Sequence, residues 1–258
     1  MVVYITKWFG RLGNNILQVR NTLYIACYYG YNLNLPKHKF FNKQSILINK
    51  KDTSEPIYST SESAYFFSRN KIVDINTECF TTNHDVVANL LADLFVVDYK
   101  ALSPLDPDDL VIHIRSGDLF IKETPHPAYI PPPLSYYTYI LQTRKYKNIY
   151  LIAEDRLNPC INKLLELYPN IIFKEQSFIE DIRIILRAQT VVCSVGTMIP
   201  ALSCMSRNIK DVFTTNYDFA VWHFSKDIHI KKVDCRQYKE TMGKWLNKKW
   251  QHDIIMNY

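Results

Sequence analysis

Leu110-Val111-Ile112-His113-Ile114-Arg115-Ser116-Gly117-Asp118 decides how this 258-residue chain is read. An apolar run of buried-strand length ends in Arg, then Ser, Gly and Asp. Open parallel sheets bind ligands in the crevice outside the carboxyl ends of their strands. Side chains alternate along a strand, so His113 and Arg115 share one face. An arginine held at that edge can fork onto a phosphate through paired charge-assisted hydrogen bonds. The same side chain could equally pair with a neighbouring carboxylate. Asp118 fits three roles: a base, an orienter of Arg115, or a turn residue.

Strand and helix patterns alternate downstream of this stretch. Helical periodicity covers Ser135–Tyr146, Asn162–Tyr168 and Phe178–Ala188, the last opening on a Ser177/Glu180 capping box, and a further helix starts at Met198. Between them Ile149–Ala153, Ile171–Lys174, Thr190–Ser194 and Asp211–Phe213 read as strands. Such alternation implies a parallel sheet with helices on both faces. Upstream, Val2–Thr6 is a strand and Gly10–Asn14 a turn. A helix from Asn15 carries Ile16, Val19, Leu23 and Ala26/Cys27 at helical spacing until Gly30. Tyr31–Leu35 is a second strand, and Asp85–Val96 a helix. Lys37–Asn83 is polar and carries no assignment. Residues 98–109 hold two prolines and read as an interdomain linker. The expected architecture is α/β, with one Rossmann-like domain over residues 1–105, a second over 106–258, and parallel sheets facing a central cleft.

Three further motifs sit at strand ends. Gly10-Arg11-Leu12-Gly13-Asn14-Asn15 joins a strand to a helix. Its glycines permit a sharp turn and close ligand approach, although a simple turn has the same pattern. It fits neither the dinucleotide-binding fingerprint nor the P-loop. Ser194-Val195-Gly196-Thr197 could be a phosphate nest or an ordinary helix cap. Glu154 and Asp155 end the strand after Arg115's, placed either to recognise a base or ribose or to face solvent. Asp106-Pro107-Asp108 superficially matches a metal-binding Asp-x-Asp motif, but its Pro-rich setting before a strand reads as a turn. His126 lies in the Pro-rich segment Lys122–Pro133. No His-Glu-x-x-His or Gly-x-Ser-x-Gly motif is present.

Composition bounds the rest. A hydrophobic fraction of 47% is ample for packed cores. The net charge of +6 suits an anionic ligand, and the scattered basic residues argue against nucleic acid. The densest basic stretch, Lys239–Lys249, reads as the polar face of an amphipathic helix. Six cysteines show no Cys-x-x-Cys pair. Several lie in apolar runs where a thiol acts as a small hydrophobe, which points to a reducing compartment and no metal. Lys7 and Arg11 arrive before any signal-length apolar run, and no stretch of about 18 apolar residues occurs. A cytoplasmic protein without a membrane span is expected.

Together, the ordered set Gly10–Asn15, His113–Asp118 and the Ser194–Thr197 turn resembles the alpha-1,2-fucosyltransferases of glycosyltransferase family 11. It is also similar to the wider superfamily of alpha-1,6- and protein O-fucosyltransferases. The likeness extends from Val2 to about Arg207 and includes Tyr150–Asp155 and Pro132–Tyr137. It implies a GT-B-like fold, GDP-fucose as donor, a glycan acceptor, an inverting reaction, and neither metal nor cofactor. Carried over, Arg115 binds the donor's β-phosphate beside His113, with Ser194, Gly196 and Thr197 lining the phosphates. Gly10, Arg11, Gly13 and Asn14 belong to the other substrate-binding loop, with Asn14 reaching the donor, and Glu154 or Asp155 contacts the guanosine. Asp118 is the candidate base. Two departures stand out: family 11 commonly has a second Arg at the position of Ser116, and its third motif continues with Ser-Phe-Ser rather than Gly196-Thr197-Met198. The same pattern admits another nucleotide-sugar donor, or a non-catalytic nucleotide- or glycan-binding relative.

Overall fold

A computed structural model describes residues 2–48, 56–60, 77–98, 100–123, 125–218 and 227–258. Within the unassigned stretch between Lys37 and Asn83, residues 49–55 and 61–76 lie outside them. The chain divides into two units, Met1–Ala101 with Cys204–Ser206, and Leu102–Ser203 with Arg207–Tyr258.

In the first unit β1 (Val2–Ile5) leads through α1 (Leu12–Tyr29) to β2 (Asn32–Asn34) and β3 (Ser45–Ile46). Then come β4 (Pro56–Thr60), a 3-10 turn (Thr77–Thr81) and α2 (His84–Leu94). The sheet order is β3-β2-β1-β4, with β2 and β4 parallel to β1 and β3 antiparallel at the edge. Ile16, Val19, Leu23 and Ala26, the residues at helical spacing, are all fully buried. The helix starts earlier than its apolar stripe, at Leu12, so Gly13 and Asn14 lie in its first turn rather than in the preceding loop. It ends where expected. Gly30 takes a left-handed φ of 68°, and the Tyr31 amide donates to the Ala26 carbonyl over 2.9 Å, closing the last turn.

The second unit supplies β5 (Leu110–Ile114), α3 (Asp118–Ile121), α4 (Leu134–Thr143), β6 (Ile149–Ala153), α5 (Pro159–Leu167) and β7 (Ile171–Ile172). It continues with α6 (Phe178–Arg187), β8 (Thr190–Cys193), α7 (Met198–Ser203) and β9 (Asp211–Thr215), and closes with β10 (His229–Val233), α8 (Arg236–Met242) and α9 (Lys249–Asn257). All six strands are parallel, in the order β7-β6-β5-β8-β9-β10. From β5 the chain steps outward to β7, returns to the opposite flank of β5, and steps outward again to β10. This is the 3-2-1-4-5-6 order of doubly wound dinucleotide-binding sheets, and its reversal point lies between β5 and β8.

Packing explains why β5 is central. Leu110, Ile112 and Ile114 join Tyr136, Tyr137 and Ile140 of α4 in one buried cluster that also takes in Ile161, Leu164, Tyr238 and Trp245. Both α4 tyrosines hand their hydroxyls to the end of β8: Tyr136 donates to the Cys193 carbonyl over 2.9 Å and Tyr137 to Ser194 Oγ over 3.3 Å. Complete burial pushes both phenols well above their ordinary range, so they remain donors.

Two sequence expectations change here. The basic stretch Lys239–Lys249 is not one amphipathic helix. Gly243 and Asn247 take left-handed φ values of 64° and 54°, which break it into the end of α8, a loop and the start of α9. Within that loop Trp245 is fully buried, its indole N–H donating to the Leu119 carbonyl at 3.0 Å. The capping box of α6 is half made. Ser177 Oγ accepts from the Glu180 amide at 3.3 Å, while the Glu180 carboxylate turns to Arg183.

Candidate active site

The reversal point of the second sheet is where β5 and β8 deliver Arg115 and the Ser194–Thr197 turn side by side. The Arg115 guanidinium is held on three sides. Nη2 donates to Asp118 Oδ2 at 3.0 Å and Oδ1 at 3.3 Å, and Nε lies 3.4 Å from Oδ1. The Tyr129 ring faces the guanidinium carbon at 4.3 Å from its centroid. Opposite, Nη1 abuts the β8–α7 turn so closely that a Cβ built on Gly196 would sit 2.4 Å from it. Gly196 has φ +106°, a conformation side-chain-bearing residues rarely adopt. Asp118 therefore begins α3 as the ion-pair partner of Arg115. With the Arg115 side chain 17% exposed and Asp118 27%, the pair sits at the surface of the sheet's carboxyl edge rather than within the core.

The backbone beneath Arg115 is equally fixed. Ser116, where the resembled family has a second Arg, is buried. Its hydroxyl makes a short hydrogen bond to Asp155 Oδ1 and accepts from the Asn158 amide at 2.9 Å. Asp155 Oδ1 also receives the Gly117 amide at 3.2 Å and the Leu157 amide at 3.0 Å. Asn158, fully buried, caps α5 by accepting from the Cys160 amide at 3.0 Å and donates its own Nδ2 to the Arg115 carbonyl at 3.1 Å. Gly117 has φ +51°, and a Cβ there would lie 2.5 Å from Glu154 Oε2, so the Glu154 carboxylate rests against the turn. Glu154 is exposed and Asp155 half-buried. Thus both predicted carboxylates meet the Arg115 loop, and Asp155 is tied into its hydrogen bonding.

Ser194 and Thr197 are buried, and Thr197 supplies the carbonyl that accepts the Ala201 amide at 2.9 Å in the first turn of α7. His113 is half-buried in β5, registered against Ile152 of β6 and Cys193 of β8. Arg115, Asp118, Ser194, Gly196, Glu154 and Asp155 therefore gather along one sheet edge.

The first unit's candidates form a second group. Gly10 has φ +70°, and a Cβ on it would overlap Asn14 Nδ2 at 2.1 Å, so the glycine makes room for that amide. Arg11 is exposed in extended backbone at the start of α1, and Gly13 is buried in its first turn. Two α1 residues that were not among the binding candidates, Asn15 and Gln18, organise this loop. Asn15 donates to the Phe9 carbonyl at 2.9 Å. Gln18 accepts the Phe9 amide at 3.1 Å and donates to the Lys7 carbonyl at 3.2 Å. Asn15 closes the Gly10–Asn15 motif, and Gln18 follows it at i, i+3 spacing on the helix. Tyr129 and Asn158 were also missed, because neither lies in a periodic segment pointing at Arg115.

Asp106-Pro107-Asp108 forms a turn before the amino end of β5, at the opposite end of the strand from Arg115. Asp106 pairs with Lys147 at 2.5 Å, which, with the Asp108 amide, holds its carboxyl below the usual range. Among the described residues no three His, Cys, Asp or Glu side chains are grouped to hold a metal. No helix among them is long and apolar enough to cross a membrane.

No protein-family model matches the chain, and no curated protein matches it in sequence. Solved structures match it in fold. The E. coli heptosyltransferase WaaC with ADP is similar at a TM-score of 0.50 and 10% identity, over 90% of this chain and 93% of that one. Fucosyltransferase NodZ from Bradyrhizobium is similar at 0.45 and 9% identity, over 83% and 94%. POFUT1 in complex with GDP is similar at 0.43 and 12% identity, over 90% and 97%. Likeness at such identities concerns architecture. The chain has an α/β, GT-B-like fold of Rossmann-type units.

Proposed function

We propose that this chain is a glycosyltransferase that holds a nucleotide-sugar diphosphate at Arg115 and transfers fucose from GDP-fucose to a glycan hydroxyl with inversion. One observation carries this assignment. The guanidinium stands at the sheet's reversal point, steadied by Asp118 and Tyr129, with Nη1 against the Gly196 turn. The GT-B-like fold supports it, and the sequence resemblance supplies the fucosyl donor.

In the proposed reaction an acceptor oxygen attacks the anomeric carbon as its bond to the β-phosphate oxygen breaks. The hydroxyl proton goes to a base and GDP leaves. Negative charge grows on the β-phosphate, where Arg115 and backbone N–H groups of the Gly196 turn neutralise it. The cation that a metal would supply elsewhere is here the guanidinium, so transfer is proposed to proceed without metal or cofactor. Both Asp118 oxygens are engaged by Arg115, so its proposed role is to orient the guanidinium.

A heptosyltransferase bound to ADP shares the fold, so the base of the nucleotide is the point to test. Thermal unfolding with GDP, ADP, UDP or dTDP, each with EDTA, separates the donors. A ligand at 100 times its dissociation constant adds about 2.7 kcal/mol. Stabilisation by GDP alone, unchanged by EDTA, is expected. Stabilisation by another nucleotide replaces the donor, and none at all overturns the assignment.

A further inference from the structure

The carboxyl edge of the first sheet carries a second constellation, and its charge is unusual. Residues 2–48 contain six Lys and Arg (Lys7, Arg11, Arg20, Lys37, Lys39 and Lys43) and no Asp or Glu. β1 and β2 are parallel neighbours, so the loops after Ile5 and Asn34 leave the sheet at one edge. Those loops bring Lys7, Arg11, Lys37 and Lys39 to that edge, all exposed.

An aromatic group sits among them. Trp8 is half-buried, its indole N–H donating to the Lys37 carbonyl at 3.2 Å. Its ring stacks on Phe41 at 5.4 Å and leans on His38 at 4.9 Å. Burial and the neighbouring Lys39 push the His38 imidazole down, so it packs as a neutral ring at pH 7. The buried amides of Asn15 and Gln18 fix the backbone on either side of Trp8, at Lys7 and Phe9. The indole is therefore presented by a stiff loop. Pre-organised aromatics bind rings at low entropic cost.

We infer that this edge seats an anionic saccharide, with a sugar ring against Trp8 and its acid group toward Lys37 and Lys39. The inference rests on the glycosyltransferase assignment for the class of ligand. It goes further in stating that the acceptor carries negative charge. Basic and aromatic residues also serve single-stranded nucleic acid, which is therefore a named outcome of the test.

Calorimetric titration of the full chain compares oligogalacturonate, a neutral cello-oligosaccharide of equal length, and oligo(dT). Oligogalacturonate is expected to bind about tenfold or more tighter than the neutral oligomer, and to weaken with salt. Lys37→Ala/Lys39→Ala, both at exposed positions, should cut its affinity about fivefold or more. Trp8→Ala should weaken both saccharides about tenfold. Equal binding of the neutral oligomer, indifference to both variants, or no saccharide binding overturns the inference. Tighter binding of oligo(dT) with the same residue dependence makes the edge a nucleic-acid surface instead. Arg115→Ala separates the two assignments: it should lose GDP and keep oligogalacturonate. Saccharide binding without GDP binding in the unaltered protein sinks the donor assignment and leaves the seat standing.

Discussion

Gly196→Ala probes the contact between Arg115 and the β8–α7 turn. A Cβ there would lie 2.4 Å from Arg115 Nη1, inside any real carbon–nitrogen contact, and φ +106° is strained for alanine. Backbone strain of this kind costs about 1–3 kcal/mol. At about 2–4 °C per kcal/mol for a domain of this size, the melting point should fall by roughly 2–12 °C, leaving the protein folded at 20 °C. An added Cβ displaces the guanidinium from its place against the turn, and hydrogen bonds to a charged group contribute about 1.5–3 kcal/mol each. GDP affinity should therefore fall by roughly 10- to 150-fold. The decisive assay is a double-mutant cycle by titration calorimetry. If the glycine acts by placing Arg115, Gly196→Ala added to Arg115→Ala should cost little more than Arg115→Ala alone. Wild-type GDP affinity in Gly196→Ala, or fully additive losses, would refute the geometry.

Tyr129→Ala should weaken GDP binding by about 0.5–2 kcal/mol through loss of the ring beneath the guanidinium, while Tyr129→Phe keeps it. Equal losses in both variants would assign the effect to the hydroxyl. Asp155→Ala strips acceptors from Ser116, Gly117 and Leu157 and should lower stability by about 1–3 kcal/mol, read as a drop in melting point. An unchanged melting point would free Asp155 from its structural role. His252 lies against Trp245, and burial lowers its pKa. The unfolded chain therefore takes up the proton first as pH falls below about 6.5, and stability declines from there toward acid. Melting scans from pH 7.5 to about 5.5 should slope less in His252→Gln; an identical slope would point to another group.

The second unit was legible because its information is local. β5, β6 and β8 are continuous apolar runs, and the helices between them keep their stripes, so alternation alone implied a parallel sheet with Arg115 at its carboxyl edge. Strand order was not local. Nothing in Thr190–Cys193 says that it pairs with β5, and that pairing is what brings Gly196 to Arg115. Tyr129 was hidden for a similar reason, since it reaches the guanidinium from an irregular Pro-rich segment. That segment is held by contacts from far along the chain, with Trp245 donating its amide to Pro127 and Asn247 its side chain to Phe120 and Lys122. The break between α8 and α9 was visible only as Gly243 and Asn247, residue types that tolerate left-handed backbone but do not demand it. At the start of α1, buried Asn14 and Asn15 carry no apolar signal, so the periodicity places the helix start three residues late.

Fucose transfer from GDP-fucose, followed as GDP release in EDTA with a glycan acceptor, tests the central claim most directly when wild type is set beside Arg115→Ala. Removing one preorganised donor to the developing charge should slow release by about 10²–10³-fold while the melting point stays near that of the wild type. Equal rates in the two proteins would contradict a diphosphate site at Arg115.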